Sequence, residues 1–331
     1  MTKLLVRRVV LGVLTLWLVS VLVFTATQLL PGDAATAILG KTATPASLAA
    51  VRAQLHLSEP APAQYWDWLS QIVQGNAGVS LAESGAEGIA ISGSSGAHTS
   101  VSQLLGTPIE NSAFLVFVAA LVAIPVSLAI GVGAALRRDK AADHIIGIVT
   151  LVLTALPEFI IGILLVVLLA TTVFHVLPPI SLLAPGVPGW DHPKLIILPA
   201  LTLVLAVAPY ISRIMRGSMI EVLESEYVQM ARLKGLSYRR IVLHHAVRNS
   251  LVPAIQVSAL NLAWMAGGVV LVEYVFAYPG IGSALVNAVN NRDVPVIQAI
   301  TLLVAAFYVV LNVGADVLGI LLTPKVRTRL R

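Results

Sequence analysis

From Glu221 to Pro253 the chain reads EVLESEYVQMARLKGLSYRRIVLHHAVRNSLVP, a polar stretch set between two apolar runs of membrane length. A segment that merely joined two spans would have no need of periodic apolar residues. Ile220, Leu223, Tyr227, Met230 and Ala231 recur at helical spacing and predict one apolar stripe. Gly235 stands where that helix ends, at a position that asks for a left-handed backbone, and Ser237 is placed to cap the next helix. Tyr238, Ile241, Val242 and His245 line one face of this second helix. The pattern predicts a short helix–glycine–helix on the polar side of a membrane, shaped to dock into a groove on another protein.

The rest of the chain supports the membrane reading. Hydrophobic residues make up 57% of the 331 and charged ones 11%, with a mean hydropathy of +0.90, far from the soluble average. A helix needs about 20 apolar residues to cross a bilayer. Six runs reach that length, near Val9–Leu30, Ser112–Leu136, Ile145–Phe174, Leu195–Met215, Ala254–Tyr274 and Val296–Leu322. With these spans, 17 of the 21 Lys and Arg residues fall on one side, leaving Lys41, Arg52, Lys194 and Arg292 on the other. The positive-inside rule then puts both termini in the cytosol, and the net charge of +5 follows from topology rather than from nucleic-acid binding. The first run is longer than a signal-peptide core and no small-x-small site follows it, so it reads as a retained anchor. The chain has no cysteine, which excludes disulfides and thiolate metal sites.

Three regions follow from this layout: a tail and first span over 1–30, an extracytoplasmic region over 31–107, and a five-helix core over 108–331 that contains the polar loop 217–254. In the second region Thr44 is placed to cap a helix carrying Leu48, Val51 and Leu55. Tyr65, Trp68, Leu69 and Ile72 form another amphipathic turn, suited to the headgroup level. Between Glu83 and Ser100 the composition turns to Gly, Ser and Ala, which predicts a flexible insertion or a contact surface. Pro157 interrupts the third run and predicts a kink there.

The polar loop resembles the ATPase-docking loop of ABC-importer permeases, in the dipeptide/oligopeptide branch. The matching positions are Ala231, Arg232, Lys234, Gly235 and Leu236, then His245, Ala246, Arg248, Asn249, Leu251 and Pro253. Leu233 replaces the branch's usual alanine, and Gln229-Met230-Ala231 stands where the wider superfamily has Glu-Ala-Ala. The resemblance covers most of the chain: Pro31-Gly32-Asp33, Gln64-Tyr65, Trp68-Leu69, Leu198–Leu203, Glu273, Phe276, Pro279-Gly280, Gly282, Asp293-Val294-Pro295, Asn312 and Asp316. It also includes Pro157, Phe159 and Gly162, with Glu158 as a departure from a small residue.

The resemblance implies an all-α membrane protein with the six-helix type I permease fold and a cytosolic coupling-helix loop. Glu226, Tyr227, Ala231, Arg232, Lys234, Gly235, Leu236, Ser237, His245, Arg248 and Asn249 would form the ATPase-coupling loop. Pro157, Glu158, Glu273, Pro279, Gly280 and Gly282 would belong to the translocation path or gate. Implied partners are a second homologous permease, two cytosolic ATPases and an external substrate-binding protein, in a bacterial inner membrane. ATP and Mg would sit on the ATPases, with no cofactor on this chain. The cargo would be di- or oligopeptides; the branch also contains importers of nickel, glutathione and other solutes.

Other chemistry finds little support in the residues. Gly40-Lys41-Thr42 ends like a phosphate loop, but Ala35 stands where its first glycine belongs. His244 and His245 are adjacent, about 100° apart on a helix, and do not share an ion. Arg213 and Arg216 read as cations that hold anionic lipid. Three acids lie inside the runs, where charge is costly. Glu158 suggests a water-filled path. Glu273 suits either a tie to the following turn or an outer gate, and Asp316 suits pairing with a basic tail or capping a helix. An ion-coupled secondary transporter predicts repeat symmetry and no docking loop. A membrane scaffold or sensor has no use for Pro157, Glu158 or the Pro-Gly turn.

Overall fold

The computed structural model describes residues 2–29, 45, 49, 59–80, 99–184 and 186–322. The Pro31-Gly32-Asp33 match, the helix expected through Leu48, Val51 and Leu55, the Gly40–Thr42 motif and most of the Gly/Ser segment lie outside the described residues. Within them the chain is helical: α1 (Thr2–Gln28), α2 (Ala61–Val73), α3 (Val101–Leu136), α4 (Ala141–Ala155) and α5 (Glu158–Leu165). Then come α6 (Pro193–Glu224), α7 (Glu226–Leu233), α8 (Tyr238–Phe276), α9 (Ile281–Asn290) and α10 (Val294–Leu322). Among the described residues five helices are long and apolar enough to cross a membrane, and the count reaches six when the bent α4–α5 pair is taken as one broken span. The end of the bundle carrying α7 is called inner below, the opposite end outer.

α6 is the central helix. Its Leu203, Val207 and Ile211 are buried against Leu115, Ala119 and Ala123 of α3 and against Met265, Val269 and Val272 of α8. α3 and α6 cross so closely at Gly131 that a Cβ there would lie 2.6 Å from the Ser212 carbonyl oxygen. Small residues permit this approach where packing, not water, drives helix association. α3 starts at Val101, well before the run from Ser112 that hydropathy picks out, because Ser100 caps it by accepting from the Gln103 N–H (3.3 Å).

α1 lies along α10. A Cβ on Gly12 would meet Val309 Cγ1 at 2.8 Å; Arg8 pairs with Asp316 at 2.9 Å near one end, and Gln298 donates to Thr27 Oγ1 at 2.7 Å near the other. Asp316 thus pairs with Arg8 of the first helix, whereas the basic tail expected as its partner lies outside the described residues. α2 packs on α1 through the stripe read from sequence: Tyr65 and Trp68 close on Phe24, and Tyr65 shares a 2.8 Å hydrogen bond with Ser20.

The third span departs from a simple kink. α4 stops at Ala155, Leu156 is extended (φ −93°, ψ 131°), and α5 leaves at 110° to α4. The cause is local: Pro157 disfavours helical backbone in the residue before it, and Pro157 itself stands as the extended N-cap of α5 (φ −58°, ψ 146°). α5 then passes into a π-helical turn, Val166–Thr171.

Candidate functional site

At the inner end α6 breaks at Ser225, whose extended backbone (φ −67°, ψ 150°) starts α7 in a new direction. Ile220 and Leu223 thus belong to α6, and the single stripe expected across them and α7 is divided. The inward face of α7 is Val228 and Ala231, buried against Ile241 with Val222 and Leu236 packed alongside. Tyr227 and Met230 point outward instead, with Leu233 82% exposed beyond them. Two apolar faces on one short helix explain the misassignment: spacing alone cannot tell which is covered.

The end of α7 is a Schellman cap. Gly235 has φ +77°, its N–H donates to the Arg232 carbonyl (2.9 Å), and Leu236 N–H reaches back to the Ala231 carbonyl (3.2 Å). Leu236 supplies the apolar contact that accompanies the motif. Ser237 occupies the next N-cap by backbone, but its side chain makes no capping bond; its carbonyl accepts from Ile241 N–H at 3.0 Å.

The second helix of the loop is not separate. Tyr238–Arg240 runs into a π-helical turn at Ile241–Val247 and straight on into the fifth span, making one helix of 39 residues. Ile241, Val242 and Ala246 are buried, His245 is half-buried and Tyr238 is exposed, so the face turns slightly from the one expected. Asn249 Nδ2 donates to Tyr227 Oη (2.9 Å) and to the His245 carbonyl (2.8 Å), tying α7 to α8. Glu226, Arg232, Lys234 and Arg248 are exposed around this platform. The result is an apolar patch ringed by cations, fixed rigidly to the ends of two spans.

Arg216 is not a lipid anchor. Its Nε and Nη2 grip Asp143 Oδ1 and Oδ2 at 2.6 Å each, and Asp143 is buried, so the pair ties the start of α4 to α6. Arg138 pairs with Glu224 nearby.

At the outer end, Glu273 is wholly buried in the last turns of α8. Ser112 Oγ donates to Oε1 at 2.5 Å, and Gly282 N–H donates to Oε2 at 2.7 Å. The Ser112 hydroxyl also accepts from Ile281 N–H at 2.8 Å. Asn111 Nδ2 donates to the Pro279 carbonyl at 2.9 Å, while its Oδ1 takes the Gly189 N–H at 2.7 Å. Tyr278 closes the set by donating to the Asn111 carbonyl (3.2 Å); burial chiefly, with the Glu273 carboxylate second, pushes its phenol above the usual range and keeps it a donor. A Cβ on Gly280 would sit 2.2 Å from the Glu273 carboxyl carbon, and one on Gly282 2.4 Å from Val270 Cα. Of the two roles open to Glu273, the structure realises the tie to the turn.

Sequence reading missed Asn111 and Ser112; the signal was two adjacent polar residues opening an otherwise apolar run. It also missed α9, although Ile281, Ala284, Leu285 and Ala288 have helical spacing. Pro157 and Glu158 stand apart from both clusters, at the break of the third span. Glu158 is half-buried there, facing Gly268 about two turns below the end of α8.

Residues 127–328 match the family described as binding-protein-dependent transport system inner membrane component, and residues 1–106 match the N-terminal region of such components. A probable peptide ABC transporter permease protein, y4tP of Sinorhizobium fredii, is 34% identical over 323 residues, covering 97% of this chain and 98% of its own. The glutathione transport system permease protein GsiC is 33% identical over 313 residues in both Salmonella choleraesuis and Escherichia coli K12, covering 95% of each chain.

Proposed function

The chain belongs to the binding-protein-dependent transport system inner membrane components, the multi-pass permease subunits of ABC importers of the peptide type, and from that premise we propose that it forms one half of a pathway for di- or oligopeptides. ATPases and a substrate-binding protein are the general partners of this family. The other half of the pathway is a second, homologous permease, and two ATPases dock from the cytosol, where both termini lie. Those ATPases bind ATP and Mg; this chain carries no catalytic residue and no cofactor.

The observation that carries the reading is the inner platform. Tyr227, Met230 and Leu233 present apolar surface, Arg232, Lys234 and Arg248 rim it, and the α7 end is locked by Gly235 and Asn249. A helix that fills a groove needs such an apolar face. A helix that transmits force needs rigid ends, and α7 is clamped to α6 and α8 at both. Closure of the ATPases then moves α7 as a lever and turns the cavity from one side of the membrane to the other. The outer cluster around Glu273 makes the Tyr278–Gly282 turn a stiff gate element on which the binding protein sits, with Pro157 and Glu158 on the path beneath it.

Glutathione is the second reading, favoured by the similarity to GsiC. The test is to purify the chain's binding protein, identify its co-purified ligand by mass spectrometry, and measure ATP-dependent uptake by the reconstituted importer. Accumulation of ordinary α-linked peptides is expected. Uptake of glutathione alone would replace the peptide reading, and absence of ATP-dependent uptake of either would remove both.

A further inference from the structure

Glu158 is an acid placed among spans, and among the described residues no hydrogen bond or ion pair reaches its carboxylate. It is half-buried at the elbow of the broken span, with Oε1 turned toward buried Gly268. Across from it, α8 carries Gly268 and, one turn earlier, Trp264. A Cβ on Gly268 would lie 3.4 Å from Glu158 Oε1 and 3.9 Å from Trp264 Cζ3, so the carboxylate and the indole converge over the same bare backbone. Trp264 keeps 42% of its surface exposed, and Gly267 beside it is exposed as well. The pair therefore opens outward from the subunit.

A carboxylate on lipid is costly, and a carboxylate paired across a subunit would not need an aromatic face next to it. A carboxylate beside an exposed indole is the combination that binds ammonium: one charge-assisted hydrogen-bond acceptor, and one ring whose negative face attracts a cation. The missing side chain of Gly268, itself buried, lets the carboxylate and the indole come together against the α8 backbone, and the half-buried acid and the exposed ring leave the outer side of the pair open. We propose that Glu158 and Trp264 form a subsite for a primary ammonium group of the cargo, gripping it as a peptide passes the elbow. The subsite rests on the peptide-permease reading above. The ammonium has two sources, the amino terminus of the peptide or a lysine side chain.

Uptake by the complete reconstituted importer separates these. Three probes serve: Ala-Ala-Ala with a free amine, N-acetyl-Ala-Ala-Ala with none, and N-acetyl-Ala-Lys-Ala with only the side-chain amine. Each variant is compared with wild type on the same probe, so preferences of the binding protein cancel. Glu158→Gln is expected to slow amine-bearing probes about tenfold, the effect of losing one charged contact, and to leave the fully blocked probe near the wild-type rate. Loss on Ala-Ala-Ala alone identifies the amino terminus, and loss on both amine probes includes lysine. Glu158→Asp should restore much of the discrimination. Trp264→Leu should reduce it several-fold, and Trp264→Phe should keep most of it.

A direct measurement avoids the binding protein altogether. In nanodiscs holding the permease and ATPase subunits, n-butylammonium should change the Trp fluorescence saturably. n-Butanol should not, and Glu158→Gln should abolish the ammonium signal while Trp264 is still present to report it. Equal effects of Glu158→Gln on all three peptides, or a butylammonium signal unchanged by it, would overturn the subsite while leaving peptide transport intact. Absence of peptide uptake by the wild type would remove the peptide reading and the subsite with it.

Discussion

Gly235 and Gly280 are glycines for different reasons, and their substitutions should fail differently. At Gly235 no neighbouring atom would meet a Cβ within 4 Å; the demand is the backbone, φ +77°. A β-branched residue held there costs about 1–3 kcal/mol of local strain, enough to fray the cap without unfolding six spans. Gly235→Val is expected to insert normally yet hydrolyse ATP with little uptake; parallel measurement of hydrolysis and transport on the same proteoliposomes checks it, and normal uptake would remove the lever. At Gly280 the demand is space, since the Glu273 carboxyl carbon lies 2.2 Å from where a Cβ would be. Gly280→Ala must push a buried carboxylate off its donors, and Ser112→Ala strips one donor away. Each should cost about 1–3 kcal/mol and lower the thermal midpoint of the detergent-purified protein. The left-handed turn at Gly235 was legible because its motif has a backbone meaning. The Ser112–Glu273 contact was not, because it joins residues far apart in sequence and neither carries a local signal.

Among the elements, periodicity and hydropathy located the spans but not their ends or angles. α3 begins a full three turns before its apolar run because Ser100 caps it, and capping has nothing to do with hydropathy. The break in the third span was legible in Pro157, yet its 110° angle depends on what α4 and α5 pack against. On α7 both faces are apolar, and only the presence of Ile241 decides that Val228, not Tyr227, turns inward. Arg216 has the same ambiguity: in sequence it is one more juxtamembrane cation, and only the fold places Asp143 beneath it. Asp143→Asn should loosen α4 from α6 and destabilise the protein by about 1–2 kcal/mol, a value discounted from that of a fully buried pair because the guanidinium is 36% exposed. The exchange Asp143→Arg with Arg216→Asp should recover part of the loss. Thermal unfolding followed by tryptophan fluorescence measures both, and additive losses in the double variant would show that the two residues act separately.

For the molecule as a whole, charge divides into positions that face a partner and positions that do not. Lys234 sits on the rim of the α7 platform, whereas Arg213 is exposed on α6 away from it. Charge reversal at Lys234 should weaken co-purification of the ATPase several-fold more than reversal at Arg213, and equal effects would mean that the cations only hold lipid. The six-span plan was legible from apolar runs and basic residues, since both are sums over many positions. Which spans touch was not legible, and the pairing of α1 with α10 shows why that matters. Of these spans α1 is made before the others, and apart from its contact with α2 the residues that hold it come from α10: Thr27 meets Gln298 across 271 positions, Arg8 meets Asp316, and Gly12 waits for Val309. Until the last span is inserted, α1 has mainly lipid for company. The consequence is one of assembly: a chain lacking α10 should leave its first helix loosely held and open to membrane proteases, and the arrival of α10 closes it.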